Sequence, residues 1–173
     1  MKTIPLYDKD AFAKEFDAKV ISCQEEIRGD KKVYKVVLDQ TLFFPEQGGQ
    51  TSDKGKLDAA SVLDVQIEDD VIYHYCSNGF LSGEVVHGII DWEHRSNNMQ
   101  QHTGEHIFTG LAHNIYGAEN VGFHLSENTV TLDLNIELSE ECWKDFILRP
   151  LLLHLTVFNN NDFIGNVKNT LLM

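Results

Sequence analysis

The chain has few cysteines, few positive charges and no long apolar segment, and each shortage excludes a class of protein. Its three cysteines are scattered and form no C-x-x-C pair, so a disulfide framework is not expected. No apolar run approaches the ~20 residues that cross a bilayer, and residues 1–5 lack the apolar core of a signal peptide. We therefore expect free thiols, no membrane partner and a cytoplasmic location.

Positive charge is scarce: 14 Lys and Arg stand against 27 Asp and Glu, which gives a net charge of −13. A surface this acidic repels a phosphate backbone. An RNA partner would therefore need a local cluster of cations, a bound cation or a larger assembly. The candidate cations are Lys31, Lys32, Lys54, Lys56 and Arg95.

The first half of the chain has the pattern of β-structure. Residues 33–38 and 85–90 are apolar, β-branched runs, and residues 63–67 and 71–75 alternate between apolar and polar on either side of Asp69-Asp70. The alternation predicts a hairpin, and several short strands of this kind suggest a small barrel or sandwich. Before them, the spacing of apolar residues predicts one short helix from Asp8 to Phe16.

The pattern changes near Asp91. Residues 96–116 contain no proline and carry apolar residues at helical spacing, with Gly117 where a C-terminal cap would stand. Residues 121–125 and 129–134 predict a strand pair, and Ser139 begins another predicted helix. The boundary divides the chain into predicted domains 1–90 and 91–173. Within the second, residues 151–173 form an anomalous tail with only Asp162 and Lys168 charged.

Two motifs carry chemistry. The sequence HTGEH places His102 and His106 one helical turn apart on one face, where two imidazoles can reach the same metal ion, usually zinc. By spacing alone, two hydrogen-bonded histidines at a helix edge explain it equally well. The sequence FFPEQGGQ (residues 43–50) contains a double glycine, which makes a tight loop that can bring backbone close to a ligand.

Taken together and in order, these motifs resemble the editing domain of alanyl-tRNA synthetase and the free-standing alanyl-tRNA editing proteins. The resemblance covers residues 1–143 and includes Arg95, Met99 and the sequence GFHL (residues 122–125). It implies an α+β protein of the threonyl/alanyl-tRNA synthetase common-domain type: a small N-terminal β-barrel followed by an α/β editing domain, incomplete here at its C-terminus. The usual loop has three glycines before the glutamine, and Gln47 replaces the first.

The resemblance also implies a function and a site. The implied enzyme is a zinc-dependent aminoacyl-tRNA deacylase that hydrolyses Ser- or Gly-tRNA(Ala), with the acceptor end of tRNA as partner and a homodimer left open. The implied metal ligands are His102 and His106, the catalytic residues are Thr103 and Gln50, and Gly48, Gly49 and Arg95 contact the substrate. A site that hydrogen-bonds a hydroxyl rejects alanine strongly, which makes such editing effective.

One part of the family's pattern is missing from this sequence. The family completes its metal site with C-x-x-x-H, but the only cysteine after His106 is Cys142, and Phe146 stands four residues later. Two ligands bind zinc weakly, so other residues would have to complete the site. The candidates for this role are His113, His124, Cys142 and His154.

Two other functions remain as alternatives. The first is an inert editing module that binds tRNA or a synthetase without turnover, which the missing C-x-x-x-H favours. The second is a metallopeptidase of the inverted zincin type, in which Glu105 of the H-x-x-E-H pattern would act as general base. The peptidase alternative leaves the FFPEQGGQ loop unexplained.

Overall fold

The computed structural model describes residues 2–125, 130–142 and 144. They form ten strands and one long helix, with a short 3-10 turn at Leu6–Asp8. The strands are β1 (Ile4–Pro5), β2 (Glu15–Arg28), β3 (Lys31–Leu38), β4 (Gln40–Thr41), β5 (Gly55–Leu57), β6 (Ala60–Glu68), β7 (Val71–Cys76), β8 (Val85–Ile90), β9 (Asn120–Leu125) and β10 (Val130–Leu134), and the helix α1 is Trp92–Tyr116.

Six strands close into a barrel in the order β2-β3-β7-β6-β5-β8. Closure depends on the length of β2, because its first part pairs with β8 over residues 15–19 and its second part pairs with β3 over residues 20–28. A register shift between Val20 and Ser22 marks the point where β2 changes partner. Such irregularities bend a strand and are common where sheets curl into barrels.

The barrel core consists of inward-facing side chains of these strands together with Leu42 and Phe43, which follow β4. Its fully buried members include Phe43, Leu38, Leu57, Ile72 and Val65. The Phe43 ring meets the Phe16 ring edge-on, with centroids 5.8 Å apart, an arrangement that aromatic pairs favour. This packed interior fixes the strand ends from which the loops emerge.

The chain divides into two compact units, Met1–Met99 and Gln100–Met173, which are described separately. The first contains the barrel and the beginning of α1. In the second, the rest of α1 accompanies the antiparallel pair β9–β10, and a small core forms around Ala112 and Ala118. Gly117 ends the helix at φ +67°, and its N–H donates to the His113 carbonyl over 2.8 Å, as in an αL cap.

Most of the predicted elements are confirmed. The hairpin is β6–β7, with Asp69 and Asp70 at φ +48° and +63° in its turn. The pair β9–β10 is present, and the predicted helix that follows begins as expected, since the Ser139 hydroxyl accepts the Cys142 N–H over 3.3 Å. The mixed α and β composition is confirmed, and the molecule is rich in strands with one long helix.

Two predictions fail in detail. The helix predicted from Asp8 to Phe16 is wrong, because β2 begins at Glu15 and Phe16, Ala18 and Val20 alternate inward with period two. The long helix starts at Trp92 instead of Ser96, and the Asp91 carboxylate accepts the His94 N–H over 3.2 Å as an N-terminal cap.

The remaining predictions concern the domains, the tail and membrane-spanning segments. The predicted domains 1–90 and 91–173 stay a prediction, and the tail at 151–173 lies outside the described residues. No helix in the described part of the chain is both long and apolar enough to span a membrane.

Candidate functional site

The two histidines of the HTGEH motif lie side by side on α1. Their rings stack with centroids 4.8 Å apart and planes inclined by 24°. The His102 ring also lies 5.6 Å from the Phe123 ring of β9. The helix therefore presents two imidazoles to the same region of space.

A carboxylate completes this group. Glu105 is only 3% exposed, and its Oε2 lies 3.2 Å from His106 Nδ1. Its Oε1 accepts a hydrogen bond of 2.7 Å from the Asn120 side-chain amide. One ligand atom from each of His102, Glu105 and His106 lies within 4.8 Å of the other two. From the sequence, Glu105 is expected only as the general base of a peptidase, although the spacing i, i+3, i+4 places all three residues on one helix face.

The donor set of this cluster is chemically suited to zinc. Two imidazole nitrogens and one carboxylate oxygen are a combination that catalytic zinc sites use, with a further position left for water or substrate. Zinc and the residues present therefore fit one another. The roles of His102 and His106 as ligands remain predictions.

Three of the other four candidate ligands lie in the described part of the chain, outside this group. The His113 Nδ1 pairs with Glu119 over 3.1 Å. The Cys142 Sγ accepts the Ser139 hydroxyl over 3.2 Å. His124 lies on β9, outside the His102–Glu105–His106 group. His154 lies outside the described residues.

The double glycine forms a tight turn in the barrel unit. Gln47 and Gln50 exchange two backbone hydrogen bonds of 3.3 and 3.1 Å, and Gly48 and Gly49 between them have φ of +61° and +80°. Both central positions favour glycine, because an L side chain is strained at positive φ. Gln47 lies outside this strained pair, which explains how it can replace the family's first glycine.

The turn is anchored to the barrel at its start. The Glu46 N–H donates to the Val65 carbonyl of β6 over 2.9 Å, and the Gln66 amide donates to the Glu46 carboxylate over 2.8 Å. Gln50 at the end of the turn is buried. The substrate contacts of Gly48, Gly49 and Gln50 stay predictions.

Arg95 is buried in the same unit and is held by an ion pair. It is 3% exposed, and its guanidinium forms a short, multiply bonded pair with Asp53, which is fully buried. Further guanidinium hydrogen bonds reach the carbonyls of Leu42 and Ala11 over 2.6 and 3.2 Å. These contacts tie α1 to the segment that follows the glycine turn. The predicted substrate contact of Arg95 stays a prediction.

Two more residues at the start of α1 hold this segment, and neither is predicted from the sequence. His94 Nε2 lies 2.9 Å from the Ser52 carbonyl, and the Asn98 amide donates to the Thr51 hydroxyl over 3.3 Å. Their spacing of four residues on one helix face was the available signal. The sequence does not reveal this spacing as helical, because a helix predicted to start at Ser96 excludes His94.

Each unit therefore contains one set of predicted site residues. The helical unit brings His102, Thr103 and His106 together on α1, with Thr103 exposed. The barrel unit holds Gly48, Gly49, Gln50 and Arg95 around the turn and the first part of the helix.

Comparison with known proteins gives consistent matches. The model of the family described as tRNA synthetases class II (A) matches residues 6–94, about half of the chain. The alanyl-tRNA editing protein Aarsd1 of Bos taurus is 35% identical over 136 residues, which cover 73% of this chain and 31% of the relative.

Two archaeal relatives extend the comparison. The alanyl-tRNA editing protein AlaX-M of Methanosarcina barkeri is 37% identical over 79% of this chain and 58% of its own length. The alanine–tRNA ligase of Pyrococcus furiosus is 40% identical over 76% of this chain and 14% of its own length. The chain thus spans less than two thirds of each of these relatives, and about a third of the Bos taurus protein.

Proposed function

Because the chain belongs to the tRNA synthetases class II (A) family, we propose that it is an editing deacylase, which hydrolyses the ester of mischarged Ser- or Gly-tRNA(Ala). Relatives named alanyl-tRNA editing proteins support the reaction class. The observation that carries the proposal is the grouping of His102, Glu105 and His106 on one helix face. The proposal also includes two domains, residues 1–90 and 91–173, and a cytoplasmic location.

In this proposal His102 and His106 hold a zinc ion. When bound at such a site, zinc polarises an ester carbonyl or lowers the pKa of a coordinated water toward neutrality. The pair is suited to this task because one ring nitrogen of each imidazole lies within 4.8 Å of the other.

Thr103 of the helical unit and Gln50 of the barrel unit keep their predicted catalytic roles in this proposal, each assigned within its own unit. Thr103 follows His102 directly and is exposed, and its proposed role is to hydrogen-bond a seryl hydroxyl or to position water. A site built around such a hydrogen bond rejects the analogue that lacks the hydroxyl, because its polar groups would then be left unpaired.

The RNA must be recognised locally, since the whole chain carries a charge of −13. Of the five candidate cations, Arg95 is buried against Asp53, and Lys32 pairs with Glu25 over 2.7 Å. Lys31, Lys54 and Lys56 remain as exposed candidates. Mutation of these three lysines is expected to weaken the apparent affinity for tRNA more than it slows turnover.

Deacylation of Ser-tRNA(Ala) tests the proposed function. We expect His102→Ala to reduce the rate by at least ~100-fold, more than the ~10–100-fold typical of residues that only support a metal ligand. His113→Ala is the matched control, because His113 lies on the same helix but pairs with Glu119 outside the cluster. The control should retain the wild-type rate.

The alternatives give different results in the same experiment. An inert module would bind tRNA but release no serine above the uncatalysed rate. A peptidase would cleave a peptide panel and leave the ester intact. If His102→Ala left the rate of deacylation unchanged, the proposed catalytic site would be wrong.

A further inference from the structure

Two aromatic rings meet at the surface of the barrel unit, beside the start of α1. Phe12 is 68% exposed, and its ring centroid lies 6.0 Å from that of Trp92, the first residue of the helix. The Lys14 ammonium lies over the Trp92 ring, 4.8 Å from its centroid. We propose that Phe12, Lys14 and Trp92 form a stacking platform for unpaired bases of RNA. The choice of RNA rests on the proposed function.

The loop that carries Phe12 is fixed by its backbone. The Asp10 carboxylate accepts the Phe12 N–H over 2.9 Å, and the Arg95 guanidinium donates to the Ala11 carbonyl over 3.2 Å. On the other side, Ala13 packs against the barrel core. The chain is therefore held on both sides of Phe12 while the ring stays exposed. An aromatic side chain on a fixed backbone has little conformational entropy to lose on binding.

Three exposed lysines flank the platform. The Lys14 carbonyl accepts the N–H of the last β8 residue over 2.8 Å, which places Lys14 beside the end of that strand. Lys56 lies opposite Ile89 in the register of β5 and β8. The Lys54 carbonyl accepts the Asp91 N–H over 2.8 Å. These backbone pairings bring the three lysines to the junction of β5, β8 and α1.

The lysines favour an anionic partner for the platform. Three of the 14 Lys and Arg residues lie at this junction, in a chain whose net charge is −13. Single-stranded nucleic acid is bound by this combination, because rings stack on bases and lysines contact phosphates. Glu15 lies opposite Ile89 on β2 and opposes the attraction, so stacking must supply most of the affinity.

The platform is joined to the glycine turn through Arg95. The guanidinium bonds both the Ala11 carbonyl, next to Phe12, and the Asp53 carboxylate, in the segment that follows the turn. The platform and the predicted substrate residues of the barrel unit therefore share one buried anchor.

A protein interface is the competing explanation, because exposed Phe12 and Ile89, the latter 41% exposed, also suit an apolar partner or a second copy of the chain. The two explanations differ in what they require of Phe12. Base stacking needs an aromatic ring, whereas an apolar interface accepts another hydrophobic side chain of similar volume. The substitution Phe12→Leu therefore separates them.

The experiment measures binding of a labelled single-stranded oligoribonucleotide to the full chain by fluorescence anisotropy at several salt concentrations. We expect Phe12→Ala and Phe12→Leu each to weaken binding by about 10-fold, as for the loss of one stacked base. Because Phe12 is exposed, neither variant should disturb the fold, which circular dichroism verifies.

Lys14→Gln tests the contribution of the cation. We expect it to reduce the slope of log affinity against log salt by about 0.7, the contribution of one phosphate contact on a single strand. Lys32→Gln is the matched control, since Lys32 is exposed on β3 and pairs with Glu25 over 2.7 Å. It makes the same change in net charge and should bind the oligoribonucleotide as the wild type does.

Wild-type affinity in Phe12→Ala would overturn the inference, and wild-type affinity in Phe12→Leu would overturn it in favour of a protein interface. Both outcomes are distinct from failure of the proposed function, because RNA binding is measured without the ester. Deacylation that persists in Phe12→Ala with unchanged RNA binding would remove the platform and keep the editing activity. RNA binding that depends on Phe12 in a chain that releases no serine would keep the platform and remove the activity.

Discussion

Polar side chains in the two units stand in opposite environments. In the barrel unit, His74 and the Arg95–Asp53 pair are buried and fully engaged by hydrogen bonds. In the helical unit, His106 is exposed, and the His102 and His106 rings stack against each other. The same residue types are therefore buried within the core in one unit and lie at the surface of the helix in the other.

His74 shows how burial removes a histidine from chemistry. Burial lowers its pKa to about 4, although a hydrogen bond with the Val36 carbonyl opposes the shift. Thr41 Oγ1 lies 2.8 Å from Nε2 and Val36 O lies 3.2 Å from Nδ1, so both ring nitrogens are occupied. A histidine in this position is a neutral core residue. Sequence spacing alone does not distinguish it from a ligand.

The largest expected effect comes from breaking the buried ion pair. Arg95→Ala leaves the Asp53 carboxylate buried without its partner, and this should lower the free energy of unfolding by ~3–5 kcal/mol. Urea denaturation of the variant and the wild type measures this loss of stability.

Arg28→Ala is the surface counterpart, because Arg28 pairs with Asp64 over 2.9 Å with both side chains partly exposed. Its expected cost is ~0–1 kcal/mol. Equal losses for Arg95→Ala and Arg28→Ala would show that burial does not separate the two pairs.

The second effect is a pH dependence of stability. Because the folded pKa of His74 lies below the unfolded value of 6.5, the unfolded chain binds more protons between pH 6.5 and about 4. Stability should therefore rise with pH across this window, by about 3 kcal/mol in total for this one group.

His74→Gln should remove much of this slope when unfolding is measured at several pH values. His87 gives the opposite sign, since the hydrogen bond that its Nδ1–H donates to the Asp17 carboxylate raises its pKa. The contribution of His87 to the free energy of unfolding is present at low pH and is lost as the pH rises through the pKa of the folded state. A wild-type slope in His74→Gln would contradict the assignment.

Substitutions of two glycines provide a third comparison. Their expected effects on the free energy of unfolding are smaller than those above and opposite in sign to each other. Gly48→Ala should destabilise the barrel unit by ~1 kcal/mol, because an L residue is strained at φ +61°. Gly110 lies within α1, and an added Cβ there meets open space. Gly110→Ala should stabilise the chain by roughly 0.5–1 kcal/mol. Thermal unfolding of both variants measures the difference.

The smallest expected effect on stability is that of His106→Ala. Because the side chain is largely exposed, its removal should change the free energy of unfolding by no more than ~0.5 kcal/mol. The same substitution should abolish metal binding. A loss of several kcal/mol in metal-free protein would assign His106 a structural role.

The sequence predicted the elements whose pattern is local. Alternation identified the β6–β7 hairpin, and the i, i+4 spacing placed His102 and His106 on one face. A barrel was among the predictions, but the strand pairing that closes it was not, because closure depends on one long strand with two partners. The Arg95–Asp53 pair joins residues 42 positions apart, and no short-range pattern reveals such a contact.

The measurement that tests the central proposal most directly is release of serine from Ser-tRNA(Ala) by chelator-treated chain, before and after Zn²⁺ is returned. The proposal predicts that the rate falls to the uncatalysed level and recovers with about one Zn²⁺ per chain. Full activity in protein verified to contain no metal would contradict it.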